Sequence, residues 1–381
     1  MRPQIPLVMV KGAYDSVGGP ESLLHVIAES IDRNRFPPLL ALLARPRETL
    51  PRILADLAEQ MPSERLDWHG LAAAPLTAKY LAALLADRPG AILHTNDMRS
   101  NLLGWMIRRV RRVPWIAHVH GWLGNTHSGR HRLYEEVDRR LVPGADLVLV
   151  GSNAMAEEVS RAGARRVGIV TNGVAADDPA AYAEQGATIR DAVAPSGGLV
   201  VGVLGRLHPG KGQALLIEAV ARLRAQGLDV TALVVGDGPA DAQYRELAAN
   251  LGMAEHVHFA GLVPEVRPWL AAMDMLCIPS LKDSMPMTAM EAMSIAVPVI
   301  ASRVGELPVA IEHGVSGLIV EVGSVPSLVA AIGRLAGSPE ERVRFGQAGR
   351  RRLIQHYSPN AMMRQLEGFC EELAREAERG T

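Results

Sequence analysis

Four side chains in the second half of the chain, Arg206, Lys211, Asp283 and Glu291, have the types and spacing to hold an anionic, hydroxyl-rich ligand. In VGVLGRLHPGKGQALLIEAV, Arg206 falls just past an apolar strand-like run and Lys211 at the start of a helix-period segment. Two cations therefore stand beside the free N–H groups of a helix start. A diphosphate needs fixed positive charge of this kind, the more so if it leaves and gathers negative charge. Lysine occurs at only four positions, 11, 79, 211 and 282, against thirty-six arginines, so the chain seldom uses it where any cation would serve. On these residues alone, a solvated helix start carrying Lys211 is an equal alternative.

Further on, CIPSLKDSMPMTAMEAMSIAVPVIAS runs from a strand through a loop into a helix, with Asp283 in the loop and Glu291 eight residues later inside the helix. Carboxylates so placed suit sugar or ribose hydroxyls, and the amides of Ser284, Met285, Met287 and Thr288 add a second anion-binding helix start. The competing reading makes Asp283 a helix cap and Glu291 part of a solvated face. Near the beginning, KGAYDSVGGPESLLHVI places Gly18 and Gly19 before Pro20, a strand, glycine turn and helix in sequence. Such a turn lets backbone approach an anion closely, though plain turn chemistry gives the same pattern.

The elements that must position these groups alternate regularly. Short β-branched runs at 5–10, 39–43, 91–94, 115–120, 147–151 and 167–170 are separated by helical stretches such as 20–31 and 100–112. This is the pattern of parallel sheets covered by helices on both faces, so the fold class is α/β. Residues 176–198 mix small and polar types and close on Pro-Ser-Gly-Gly, which reads as a linker. A second series of strands follows. The expected organisation is a first Rossmann-like domain over 1–175, the linker over 176–198, a second such domain over 199–357, and a terminal helix over 358–381. Two such domains predict an interdomain cleft at the carboxyl ends of the strands.

Composition narrows the function. The 381 residues are 48% hydrophobic and 21% charged, which excludes a disordered or fibrous chain. A net charge of -1 argues against a dedicated nucleic-acid binder. Cys277 and Cys370 are too few for a disulfide framework and suit a reducing compartment. No run of eighteen apolar residues is present, and the six-residue run at 5–10 is too short for a signal-peptide core, so a cytoplasmic protein is expected.

Taken in order, the Gly-Gly loop, HVHG, VTNGV, GRLHPGKG, VVGDGP, FAGLV and PSLKDSMPMTAMEAM resemble the family 4 retaining glycosyltransferases of GT-B fold over nearly the whole chain. The resemblance implies a nucleotide-sugar donor held mostly by the second domain, UDP-linked rather than GDP-linked by the family's commoner habit, and an acceptor held by the first. It implies that Arg206 and Lys211 contact the diphosphate and that Glu291 takes the ribose hydroxyls. Asp283 and the amides after it would lie against the transferred sugar, Gly19 would approach the phosphates, His120 would sit near the sugar, and the backbone around Val263 would meet the base. Three departures from the family pattern stand out. Asp283 replaces the usual glutamate, Glu306 and Val309 stand where glycine and glutamate are common, and Ser284 stands where glycine is common.

His118 and His120 share a strand face and His127 and His131 are four apart, but no cysteine cluster or HExxH accompanies them, so no metal site is assigned. No Asp-x-Asp motif is present either, and the expectation is catalysis without a metal ion or other cofactor. Arg108, Arg109, Arg111 and Arg112 follow the apolar Leu102, Leu103, Trp105, Met106 and Ile107. That stretch is either a helix packed on its sheet with cations on its last turn, or a peripheral contact with anionic lipid at the inner face of a membrane. The expected reaction is metal-independent, retaining hexosyl transfer to a hydroxyl of a saccharide, a lipid-linked glycan or a small molecule, as in polysaccharide biosynthesis. Two alternatives stand: a GT-B-like sugar-nucleotide epimerase, which would convert donor alone, and a non-catalytic sugar-nucleotide-binding partner, which would bind donor without transfer.

Overall fold

The computed structural model of the chain describes residues 3–13, 19–122, 130–171, 173–283 and 287–379. It divides into two compact units, Met1–Gly173 together with Pro359–Thr381, and Val174–Ser358.

In the first unit the strands are β1 Leu7–Gly12, β2 Pro38–Ala44, β3 Ser63–Asp67, β4 Ile92–Thr95, β5 Trp115–Val119, β6 Leu147–Val150 and β7 Val167–Ile169. They form one parallel sheet in the order β3-β2-β1-β4-β5-β6-β7. The helices between them are α1 Gly19–Ser30, α2 Arg52–Gln60, α3 Ala74–Ala86, α4 Met98–Val110, α5 Arg130–Leu141 and α6 Asn153–Arg161. Every residue of β1, β2, β4, β5 and β6 is buried, because helices cover both faces and a parallel strand between them gains nothing from polar alternation. The edge strand β3, SERLD, is the exception. It is almost wholly exposed and charged, so it carries no apolar run and sequence reading passes over it.

The second unit repeats the design. Its strands are β8 Leu199–Leu204, β9 Val230–Val235, β10 Val257–Gly261, β11 Met275–Ile278, β12 Val299–Ser302 and β13 Gly317–Val320, parallel and in the order β10-β9-β8-β11-β12-β13. Its helices are α7 Ala183–Val193, α8 Gln213–Ala225, α9 Asp241–Asn250, α10 Arg267–Ala271, α11 Met287–Ser294, α12 Leu307–Ala310, α13 Val325–Ala336 and α14 Pro339–His356. Helix α7 corrects the reading of 176–198 as a linker between the units. It belongs to the second unit, where Val193 and Ala194 join the core, Gly186 lets Ala271 of α10 come close, and Arg190 Nη2 bonds Asp274 Oδ2 at 2.8 Å. A helix that packs through glycine and alanine leaves little apolar periodicity to read.

After α14 the chain re-enters the first unit as α15 Pro359–Arg379. Met362, Met363, Leu366, Cys370 and Leu373 bury into the core that Leu24, Ile27 and Leu40 also build. At roughly 2 kcal/mol per buried apolar side chain, those five anchor the helix with on the order of 10 kcal/mol before ordering costs. Among the described residues, no helix is long and apolar enough to cross a membrane.

A buried polar chain ties α4 and α5 to the sheet. Thr95 Oγ1 accepts from Trp115 Nε1 at 2.9 Å and donates to Asn101 Oδ1 at 2.6 Å. Asn101 Nδ2 then donates to Asp138 Oδ1 at 2.9 Å, and Trp122 Nε1 donates to Asp138 Oδ2 at 2.8 Å. Burial raises the Asp138 pKa to about 6, opposed by the bonds from Trp122 and Asn101. Removing this carboxylate would orphan two buried donors, so Asp138→Ala should lower the unfolding free energy by roughly 2–4 kcal/mol. Urea denaturation checks it, and an unchanged midpoint would show that the chain ties nothing.

Candidate functional site

Both sheets change direction at one place, between β1 and β4 in the first unit and between β8 and β11 in the second. Strands wind outward in opposite directions from such a point, so the loops leaving their carboxyl ends diverge and leave room for a ligand.

In the second unit, the loop after β8 carries Arg206 and Lys211 and the loop after β11 carries Asp283. Pro209–Lys211 forms a short 3-10 turn, capped by His208 Nδ1, which accepts from Gly210 N at 3.1 Å. Gly212 follows with φ 72° and is the residue just before α8. A Cβ at Gly212 would lie 2.0 Å from the carbonyl oxygen of Pro279, so glycine alone lets the two loops meet. They are joined further by Leu281 N donating to Gly210 O at 2.9 Å, and by Lys211 Nζ donating to Asp283 Oδ2 at 2.7 Å. Ser280 Oγ donates to the same carboxylate oxygen at 3.3 Å. Lys211 remains 40% exposed and Asp283 only 10%, so the ammonium faces outward from a sheltered carboxylate. Arg206 is exposed and makes no ion pair among the described residues, and its backbone is held by Gln213 Nε2 donating to Arg206 O at 2.9 Å.

Glu291 is half-buried on α11, past Met287 and Thr288 of its first turn. Burial raises its pKa, with Arg267 opposing and Glu265 adding to the shift. Arg267 itself pairs with Asp177 and with Glu265, the latter at 3.1 Å. Val263, in the loop after β10, packs against the core of the unit. Arg267 and Glu265 thus join Glu291 electrostatically, a grouping that sequence spacing did not reveal. Among the predicted residues, Gly18, Ser284 and Met285 lie outside the described residues, as does His127, and Gly19 is the first residue of α1.

In the first unit, one sheet face at the carboxyl ends of β1, β4 and β5 carries Lys11, His94, His118 and, just past β5, His120. Lys11 is almost wholly buried, with Nζ 3.0 Å from Glu21 Oε1 of α1 and 3.7 Å from Asp97 Oδ2. Asp97 caps α4 by accepting from Ser100 N at 3.0 Å, and its other oxygen accepts from Gly12 N at 2.5 Å. A buried cation needs such partners, and here they tie β1, α1 and α4 together. This cluster was missed, although the scarcity of lysine that marks Lys211 marks Lys11 equally. His120 keeps a solvent-facing edge, yet surrounding protein and the Lys11 charge hold its pKa down to about 4, against the pull of Asp97 and Glu21. At neutral pH it is an uncharged imidazole, fit to hydrogen-bond a hydroxyl. Behind it, the His118 ring stacks at 4.4 Å and 13°, and His94 Nε2 lies 3.3 Å from His118 Nδ1.

Arg108 pairs with Asp146, and Arg109 stacks on Trp105 at 4.0 Å, on the final turn of α4 toward the amino end of β5. Val110, the next residue, is 82% exposed. Glu306 is buried at the start of α12 and Val309 is exposed, the reverse of what their polarity suggests.

Residues 185–352 match the group 1 glycosyl transferases, and residues 18–174 match the glycosyl transferase 4-like domain. The chain is 32% identical over 277 residues to the D-inositol 3-phosphate glycosyltransferase of Corynebacterium efficiens, covering 67% of this chain and 65% of that protein. It is 30% identical over 338 residues to the protein of that name from Mycobacterium marinum, covering 84% and 72%. The chain thus spans about two thirds of the length of the Corynebacterium relative. In fold it is similar to Anabaena HepE in complex with UDP, with a TM-score of 0.76 at 22% identity over 97% of this chain and 100% of that one. It is also similar to a glycosyltransferase from Rickettsia africae, with a TM-score of 0.77 at 17% identity over 97% and 98%.

The paired buried histidines have a consequence for stability. Burial lowers the His94 pKa to about 3 and the His118 pKa well below its ordinary value, with the neighbouring histidines adding to it. The fold therefore favours their neutral forms. That contribution is complete above the unfolded value near 6.5 and is lost as pH falls toward the folded values, by about 2 kcal/mol per histidine between pH 7 and 5. In urea titrations at those two pH values, His94→Leu should lose about 2 kcal/mol less than the unaltered chain. Identical losses would show that His94 takes up its proton as readily in the fold as in the unfolded chain.

Proposed function

We propose, for a chain that belongs to family 4 of the glycosyltransferases and has the GT-B fold, the transfer of a sugar from a nucleoside diphosphate to an acceptor hydroxyl with retention of anomeric configuration. The observation that carries this reading is the pairing of a partly exposed Lys211 with a sheltered Asp283 at the switch point between β8 and β11, with an exposed Arg206 in the same loop as Lys211. Cations held there by backbone rather than by long, mobile loops are preorganised for a pyrophosphate.

In this reading Arg206 and Lys211 bind the diphosphate, Glu291 takes the ribose hydroxyls, and Asp283 meets the sugar. The amides at the start of α11 contribute donors, and the backbone around Val263 meets the base. His120 in the first unit accepts or donates a hydrogen bond to a sugar hydroxyl as a neutral imidazole. The acceptor hydroxyl attacks the anomeric carbon on the face from which the diphosphate leaves. The carbon–oxygen bond to the phosphate breaks, and a phosphate oxygen takes the acceptor's proton. The protein supplies position and charge, so no side-chain nucleophile is required. A UDP-linked donor is supported by the likeness to a UDP-bound structure. The matched relatives are named as inositol phosphate glycosyltransferases, which supports a small polyol or saccharide acceptor. The basic final turn of α4, with Val110 exposed among its arginines, supports a lipid-linked acceptor instead. Binding of the chain to anionic vesicles, absent from neutral ones, would favour that acceptor class.

Lys211→Ala or Arg206→Ala should cost on the order of a hundredfold in turnover, as loss of one preorganised donor does. The test is product formation from a panel of UDP- and GDP-sugars with inositol phosphate and saccharide acceptors. Near-normal turnover in either variant contradicts the assignment. The two cations are assigned the role a divalent ion would otherwise take, so turnover should be unchanged in excess chelator, and its abolition there would overturn the metal-free mechanism.

A further inference from the structure

Three imidazoles lie in series on one face of the first sheet, and the proposed function uses only the last of them. His94 on β4 and His118 on β5 are 0% and 2% exposed. Ring centroids are 5.5 Å apart from His94 to His118 and 4.4 Å from His118 to His120, with interplanar angles of 30° and 13°. Strand geometry explains the series. His118 and His120 are two apart and so share a face, and His94 pairs with Ile116, which shares it too.

Two features make this more than accidental stacking. First, burying two imidazoles is costly, and an aliphatic pair would pack the same sheet face at less cost. Second, the pair is locked. His94 Nδ1 has no partner among the described residues, whereas Nε2 lies 3.3 Å from His118 Nδ1. An unpaired acceptor is tolerated better than an unpaired N–H, so the proton belongs on His94 Nε2 and is donated to His118 Nδ1. With its Nδ1 engaged, the His118 ring cannot rotate without breaking that bond inside the core. Its flat face therefore forms a fixed platform for His120, whose own edge reaches solvent. Among the described residues the series ends at His94 Nδ1.

We infer that His118, held by His94, is a positioning residue: the stacked ring sets the plane of His120 and so aims its nitrogen at the sugar hydroxyl. The inference rests on the role given to His120 under the proposed function. Lys11, Glu21 and Asp97 are the charged groups that act on His120, and they are left untouched in the variants that test it.

The test is a double-mutant cycle on turnover with the donor that the panel identifies. His118→Leu removes the platform and should lower kcat on the order of tenfold, with little change in KM for the donor. His118→Phe keeps a flat ring and should recover most of that loss. In a His120→Ala background, His118→Leu should have almost no further effect, because there is nothing left to aim. Equal losses in both backgrounds would mean general damage to the unit and would overturn the inference, as would an unchanged kcat in His118→Leu. An unchanged kcat in His120→Ala would instead remove the role given to His120 itself. A second readout needs no activity: the His120 Hε1 proton resonance should carry a ring-current shift that His118→Leu abolishes and His118→Phe retains. Its absence in the unaltered protein would overturn the stacked platform, whatever reaction the chain performs.

Discussion

A lysine ammonium 2.7 Å from a carboxylate, across the switch point of a parallel sheet, is the interaction around which the second unit's candidate site is arranged. Lys211 and Asp283 are seventy-two residues apart, and they meet because β8 and β11 lie side by side while their crossovers run in opposite directions. In water a pair so exposed on one side contributes little to stability. Its effect is geometric: the ammonium is held at one place, and the carboxylate is kept from wandering into it. Gly212, pressed on the Pro279 carbonyl, brings the backbones close enough for the side chains to reach.

The first unit solves the same problem with buried charge. Lys11 lies at its own switch point, beneath the surface, between Glu21 and Asp97. A cation at that depth is tolerated because two carboxylates from two helices answer it, and both helices are thereby fixed to the strand ends. Burial and the Lys11 charge keep His120 neutral, against the pull of those two carboxylates. One unit thus presents cations outward and the other keeps its cation inside, a difference that net charge alone conceals.

Much of this was legible in the residues. Alternating apolar runs and helical periods specify two parallel sheets because a strand covered on both faces has to be largely apolar, as β2 is throughout and β1 is up to Lys11. What escaped reading has physical reasons as well. Strand β3 is a charged edge with nothing to bury, and α7 packs through Gly186 against Ala271, so small residues carry a contact that large ones usually announce. Lys11 was passed over because it ends an apolar strand and looks like a boundary.

The sequence by itself determined the residue types at the two switch points, the glycines beside them and the α/β class, because each depends on local propensity and on periodicity along the chain. Tertiary structure alone decided which of those residues meet. The pairing of Lys211 with Asp283, the grouping of Glu291 with Arg267 and Glu265, and the column of His94, His118 and His120 all join residues from different elements. Strand order and register create those neighbours, and neither is written in the spacing of any one segment.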